Sequence, residues 1–164
     1  MNFEQAIEII LKEEGGYVND PVDRGGETNF GISKRAYPNI DIKNLTRERA
    51  AELYRLDYWN KVKADQLPEW LRLSVFDFAV NAGASRAIRT LQKAAGVKQD
   101  GIIGPKTLAA IQTVSARAYT EARLAYYQGL VKSKPIQGKF LRGWTNRANR
   151  IAQLSVQPSN TALA

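Results

Sequence analysis

The sequence predicts a mainly α-helical fold with a small irregular lobe near its N-terminal end. Three observations carry this. Apolar residues recur at helical spacing along most of the chain. One stretch, residues 15–32, breaks that rhythm with Gly, Asp and Asn. A length of 164 residues, 44% hydrophobic and 24% charged, suits one buried core rather than disorder.

Taken in order, helices are expected at about 3–14, 46–58, 68–82, 84–95, 105–112, 115–131 and 138–154. Thr46 and Ser115 suit N-caps, whose side-chain oxygens accept an otherwise unpaired helix N–H. Gly15, Gly83 and Gly96 suit C-terminal stops, and Pro68 and Pro105 suit first turns. Within the irregular lobe only Tyr17-Val18 and Phe30-Gly31-Ile32 read as extended. Residues 1–154 are expected to form one domain, with a catalytic half (1–83) and a basic half (84–154), and residues 155–164 a fraying tail.

Composition excludes much chemistry. The chain has no Cys and no His, which removes disulfide frameworks, thiol nucleophiles, Ser-His-Asp triads and the usual zinc sites. Acid–base work falls to carboxylates, Lys or Tyr. The net charge of +8 is unevenly spread. Residues 1–83 hold 11 Lys and Arg against 14 Asp and Glu, a net −3; residues 84–164 hold 13 against 2, a net +11. The first residues, Met1-Asn2-Phe3-Glu4-Gln5, do not read as a signal peptide, and no run approaches the roughly 20 apolar residues of a membrane span. The expectation is a protein made in the cytoplasm, without stable membrane insertion.

The first helix carries the main chemical clue. Phe3, Ile7, Ile10 and Glu14 fall within about 40° of one line, whereas Glu13 projects about 100° away, toward solvent. Glu14 thus sits on the apolar face and at the negative end of the helix dipole. Both disfavour its ionised form, as a general acid requires. A frayed last turn that swings Glu14 into water is the alternative.

Asp20, Asp23 and Glu27 follow, among Gly25-Gly26, Thr28 and Asn29. A second carboxylate facing the first across a cleft is what glycoside hydrolysis usually needs. The acids do not follow the alternating EF-hand pattern, so no metal site and no cofactor is expected. Some of these residues also simply make turns.

The run Glu14-Gly15-Gly16-Tyr17-Val18-Asn19-Asp20-Pro21, with Asp23, Gly25-Gly26, Thr28-Asn29 and Gly31-Ile32-Ser33, closely resembles the signature of the glycoside hydrolase family 108 muramidases. These are lysozyme-like enzymes found among phage and prophage endolysins. The resemblance implies a lysozyme-like helical domain with a small loop or β-hairpin lobe over the active-site cleft. It maps the family's acid onto Glu14. In the broader phage-lysozyme pattern eight residues separate Glu from Asp and five separate Asp from Thr. Here Asp23 keeps the eight, but only four residues separate it from Thr28. Asp23 would activate water or stabilise the developing charge, and Thr28 would position the water. Tyr17, Asp20 and Asn29 join the implied substrate-binding set.

Further along, residues 70–82 are apolar nearly all round, except for a stripe of Ser74, Asp77 and Asn81 beside Trp70. That stripe must face a hydrogen-bond network or a wet cleft. Asp77-Phe78-Ala79-Val80-Asn81-Ala82-Gly83 resembles the family's second block, which favours the cleft and adds Asp77 and Asn81 to the substrate-binding candidates. Tyr58-Trp59 could stack on a sugar, or pack in the core. Leu91-Gln92, Gly96-Val97, Asp100-Gly101, Gly104-Pro105 and Thr107-Leu108 resemble the family's C-terminal peptidoglycan-binding part. In the last helix Phe140, Trp144, Ala148, Ile151 and Leu154 form the expected buried stripe, and Arg147 falls on it. Either it reaches an acid such as Glu14 or Asp77, or it snorkels to the surface.

The expected function is an N-acetylmuramidase, a phage or prophage endolysin acting on peptidoglycan after release by a holin or another export route. A lytic transglycosylase is the near alternative. A non-catalytic wall-binding protein and a nucleic-acid binder using the +11 half are the alternatives of another class. The acidic Gly-rich loop would be idle in a nucleic-acid binder, so no nucleic-acid partner is expected. A monomer is.

Overall fold

The computed structural model describes residues 1–20 and 26–156. They pack as two compact units, Asn2–Asp57 and Tyr58 onward together with Met1.

The first unit opens with α1 (Phe3–Glu14). Asn2 caps it: its side chain accepts from the Gln5 N–H, and the Gln5 side chain accepts from the Asn2 N–H. Phe3, Ala6, Ile7, Ile10 and Leu11 form its buried face, and the helix stops at Gly15, whose φ is +77°. A three-stranded antiparallel sheet follows, β1 (Val18–Asn19), β2 (Glu27–Asn29) and β3 (Ile32–Ser33), in that order. Val18 pairs with Thr28, and Asn29 with Ile32. Phe30-Gly31, expected to be extended, is instead the two-residue turn of the β2–β3 hairpin. Both residues have positive φ, as a type I′ turn requires.

Thr46 caps α2 (Arg47–Tyr54) by accepting from the Arg49 N–H. The expected longer helix gives way to a π-helical turn at Arg55–Trp59. Ile42, Leu45, Ala50, Leu53 and Tyr54 are buried, as are Ile32 and the inner face of α1.

The second unit is built around α3 (Glu69–Ala82), which packs against α4 (Ala84–Ala95), α6 (Ala116–Ser133) and α7 (Gly138–Leu154). Its apolar character on nearly every side explains this: a helix without a polar face is stable only when enclosed. Gly83 and Gly96 end α3 and α4, and Ser115 caps α6 by accepting from the Ala118 N–H. Residues 105–112 divide into α5 (Pro105–Ala110) and a 3-10 turn, Ile111–Thr113.

Two expectations are corrected here. Phe140 and Leu154 are not buried but 45% and 53% exposed; the buried stripe of α7 is confined to Ala148 and Ile151. Phe140 stacks on Trp144, 5.7 Å between centroids, with the Lys139 ammonium on its ring. Ser155, placed in the fraying tail, is buried; its hydroxyl donates to the Ile151 carbonyl and lies 3.4 Å from that of Ser74. The rest of that tail, 157–164, lies outside the described residues.

Candidate active site

Glu14 is the last residue of α1 and half-buried. Glu13, expected to point to solvent, is half-buried too. What distinguishes Glu14 is its contact with the hairpin turn. Gly31, at φ +75°, lies so close that a β-carbon there would sit 2.8 Å from both Cβ and Cγ of Glu14 and 2.5 Å from the Tyr54 hydroxyl. Only glycine permits that approach and that backbone angle together. The Tyr54 hydroxyl donates to the Phe30 carbonyl at 2.7 Å, tying the turn to α2. Phe30 itself holds a φ of +53°, unusual for a bulky side chain. The stem of Glu14 therefore lies against a turn that the Tyr54 hydrogen bond holds in place.

The sheet places the neighbouring candidates. Thr28 is half-buried at the centre of β2, flanked by Val18 and Ser33. Side chains alternate along a strand, so Thr28 faces away from Asn29. Asn29 is buried and donates to the carbonyls of Ile42 and Lys43, at 3.1 and 3.5 Å. It anchors the strand rather than presenting itself to a ligand. The Tyr17 hydroxyl donates to Glu27 at 2.7 Å, and that bond to a carboxylate holds the phenol's pKa above its ordinary value. Asp20 is exposed at the edge of the described segment. Asp23 lies outside the described residues.

In the second unit the polar stripe of α3 is satisfied internally. Asp77 is fully buried, and both carboxylate oxygens are taken: Arg123 donates to Oδ2 at 2.7 Å, and Arg147 to Oδ1 at 2.8 Å. Arg123 also donates to the Tyr127 hydroxyl, which donates to Asn81 at 2.7 Å. The Trp70 indole donates to the Val114 carbonyl. Of the two options for this stripe, the structure has the network. Asp77 is not open to a substrate, while Asn81 remains exposed at its margin. Arg147 does reach Asp77, one of its two expected acids. Trp59 is fully buried, edge-on to Phe76 at 5.2 Å, so it offers no stacking platform; Tyr58 beside it is half-buried.

Two residues, Arg123 and Tyr54, escaped the sequence reading, and the contact role of Gly31 went unread. Arg123 had a legible signal, for Tyr119, Arg123 and Tyr127 share a face at i, i+4 spacing, and a cation among aromatics asks for an acid. Tyr54 had none, and Gly31 stood in the motif but not as a turn, because Phe is not a usual first residue of a type I′ turn. Among the described residues no cluster of three or more acidic side chains could hold a metal ion, and no helix is long and apolar enough to cross a membrane.

The helical architecture with its small antiparallel sheet is lysozyme-like, and the class is that of glycoside hydrolases acting on peptidoglycan. Residues 7–83 match the family described as Glycosyl hydrolase 108, and residues 86–149 the one described as Predicted Peptidoglycan domain. The chain belongs to the glycosyl hydrolase 108 family. It is similar in structure to SagA of Brucella abortus, at 37% identity and a TM-score of 0.79, covering 98% of this chain and 93% of that one. No curated protein matches the sequence.

Proposed function

We propose that the protein is an N-acetylmuramidase that cleaves the β-1,4 bond between N-acetylmuramic acid and N-acetylglucosamine. The observation that carries this is the grip of the Gly31 turn on Glu14. A carboxyl that must deliver a proton to a glycosidic oxygen needs a fixed stem, because misplacement by about 1 Å can cost about a hundredfold in rate. Glu14 protonates the leaving oxygen as the anomeric carbon gains oxocarbenium character. Asp23 activates water or stabilises that charge, Thr28 positions the water, and Tyr17 and Asp20 contribute to holding the glycan. No cofactor is required.

The protein acts as a phage or prophage endolysin. It is made in the cytoplasm, reaches the wall after release by a holin or another route, and works as a monomer. Mass spectrometry of muropeptides from digested sacculi tests the reaction. Reducing N-acetylmuramic acid ends that incorporate solvent oxygen are expected. Anhydro-muramic ends would assign a lytic transglycosylase instead.

A further inference from the structure

The second unit holds a groove of about 380 Å³ between α4 and α6. Its composition is uneven. On the α4 side stand Arg86, Thr90 and Lys93, one line at spacings of four and three residues, running about 10 Å along the helix. On the α6 side three of the lining residues, Ala122, Ala125 and Gly129, are small and leave room between the helices. Tyr126 and Leu130 are the larger side chains on that side, and Arg86 lies over the Tyr126 ring at 4.8 Å. Among the described residues no carboxylate lines the groove.

We propose that this groove binds the carboxylate-bearing stem peptides of peptidoglycan. The inference rests on peptidoglycan being the substrate, and it adds where and through which chemistry the basic half engages it. Stacking on Tyr126 occupies the face of the Arg86 guanidinium and leaves its N–H edge to meet a carboxylate, for which a planar fork is the matched donor. Lys93 supplies a second charge two helical turns away. Thr90, Gln99 and Ser133 add hydroxyl and amide groups suited to a peptide backbone rather than to an apolar ligand. The +11 balance of residues 84–164 draws the polyanionic wall in, and the groove supplies a defined seat.

The test is co-sedimentation of the full chain with purified sacculi on ice, across a salt series. The substrates are intact sacculi and glycan strands stripped of peptides by an amidase. Two variants separate charge from space. The double variant Arg86→Gln/Lys93→Gln removes the cations. Gly129→Leu fills the groove, because a side chain at this helical position meets nothing within 4 Å. Circular dichroism melts check that both fold.

Each variant is expected to bind intact sacculi about tenfold more weakly, the scale of losing charge-assisted hydrogen bonds. The double variant should show a shallower salt dependence, and wild type should fall to the variants' level on stripped strands. Wild-type affinity in both folded variants, or wild-type binding that survives removal of the peptides, would overturn the proposal. So would double-stranded DNA that displaces the wild type from sacculi through the same two cations. Cleavage is measured separately, so an inactive wild type would refute the muramidase reading while leaving the binding result intact.

Discussion

Gly31 and Tyr54 show how little chain is needed to fix the stem of a candidate acid. One glycine without a β-carbon lets the turn touch the stem of Glu14, and one phenol pins the carbonyl before it. Gly31→Ala would place a methyl group where Glu14 and Tyr54 already are, in a backbone region that costs an L-residue about 1–2 kcal/mol. The expected outcome is a fall in kcat of at least about tenfold with KM little changed, since orientation rather than glycan contact is lost. Tyr54→Phe keeps the ring and removes one hydrogen bond, about 1 kcal/mol, so its loss of kcat should be smaller, a few-fold. Initial rates of reducing-end release from sacculi check both.

At the same scale, Asp100 is a structural acid with a pH signature. Its Oδ1 accepts from the Ile102 N–H and from Gln92, and these bonds hold its pKa below the ordinary carboxylate value. A depressed folded-state pKa means that its stabilisation is complete above the unfolded value near 4. That stabilisation is lost as pH falls through the folded value. Asp100→Asn should therefore melt below wild type at neutral pH, and the gap should close on acidification. Thermal melts across the acid range report it.

Among the elements, the helices were largely legible and the lobe was not. The limits of α1, α4 and α7 agree with expectation, and for α1 and α4 the glycine stops are local signals: Gly15 for α1, Gly83 and Gly96 on either side of α4. The sheet was visible only as fragments. Strands of two or three residues carry too little alternation to register, and Phe30 hid the turn. The candidate acid was legible from periodicity, but the hairpin contact that fixes it depends on residues 17 and 40 positions away. The stripe on α3 shows a different limit. Sequence says that Ser74, Asp77 and Asn81 need partners; it does not say that Arg123 and Arg147 arrive to supply Asp77. The π-helical turn that carries Trp59 into the core was likewise beyond reach, since tertiary burial decides it.

For the molecule as a whole, the sequence families divide near residue 83, whereas packing divides the chain at 57. The difference belongs to α3. It lies within the hydrolase family match but is enclosed by α4, α6 and α7 of the basic half. Asp77 joins those elements with two guanidiniums, and Nη1 of Arg123 has no hydrogen-bond partner among the described residues. Removing the carboxylate charge leaves two cations uncompensated, one of them buried. Asp77→Asn should thus destabilise by about 3–5 kcal/mol, seen as a lower midpoint in urea denaturation. The charge division runs along the same chain: residues 1–83 carry a net −3 and residues 84–164 a net +11.

The central claim is that Glu14 delivers the proton. Wild type and Glu14→Gln compared on purified murein sacculi test it most directly, with circular dichroism as the check on folding. Glutamine preserves shape and hydrogen bonding but has no proton to give. Hydrolysis should fall by about 10²–10⁴-fold, the range of general acid catalysis, while sacculus binding is retained. A folded Glu14→Gln protein that clears sacculi at the wild-type rate would contradict the assignment.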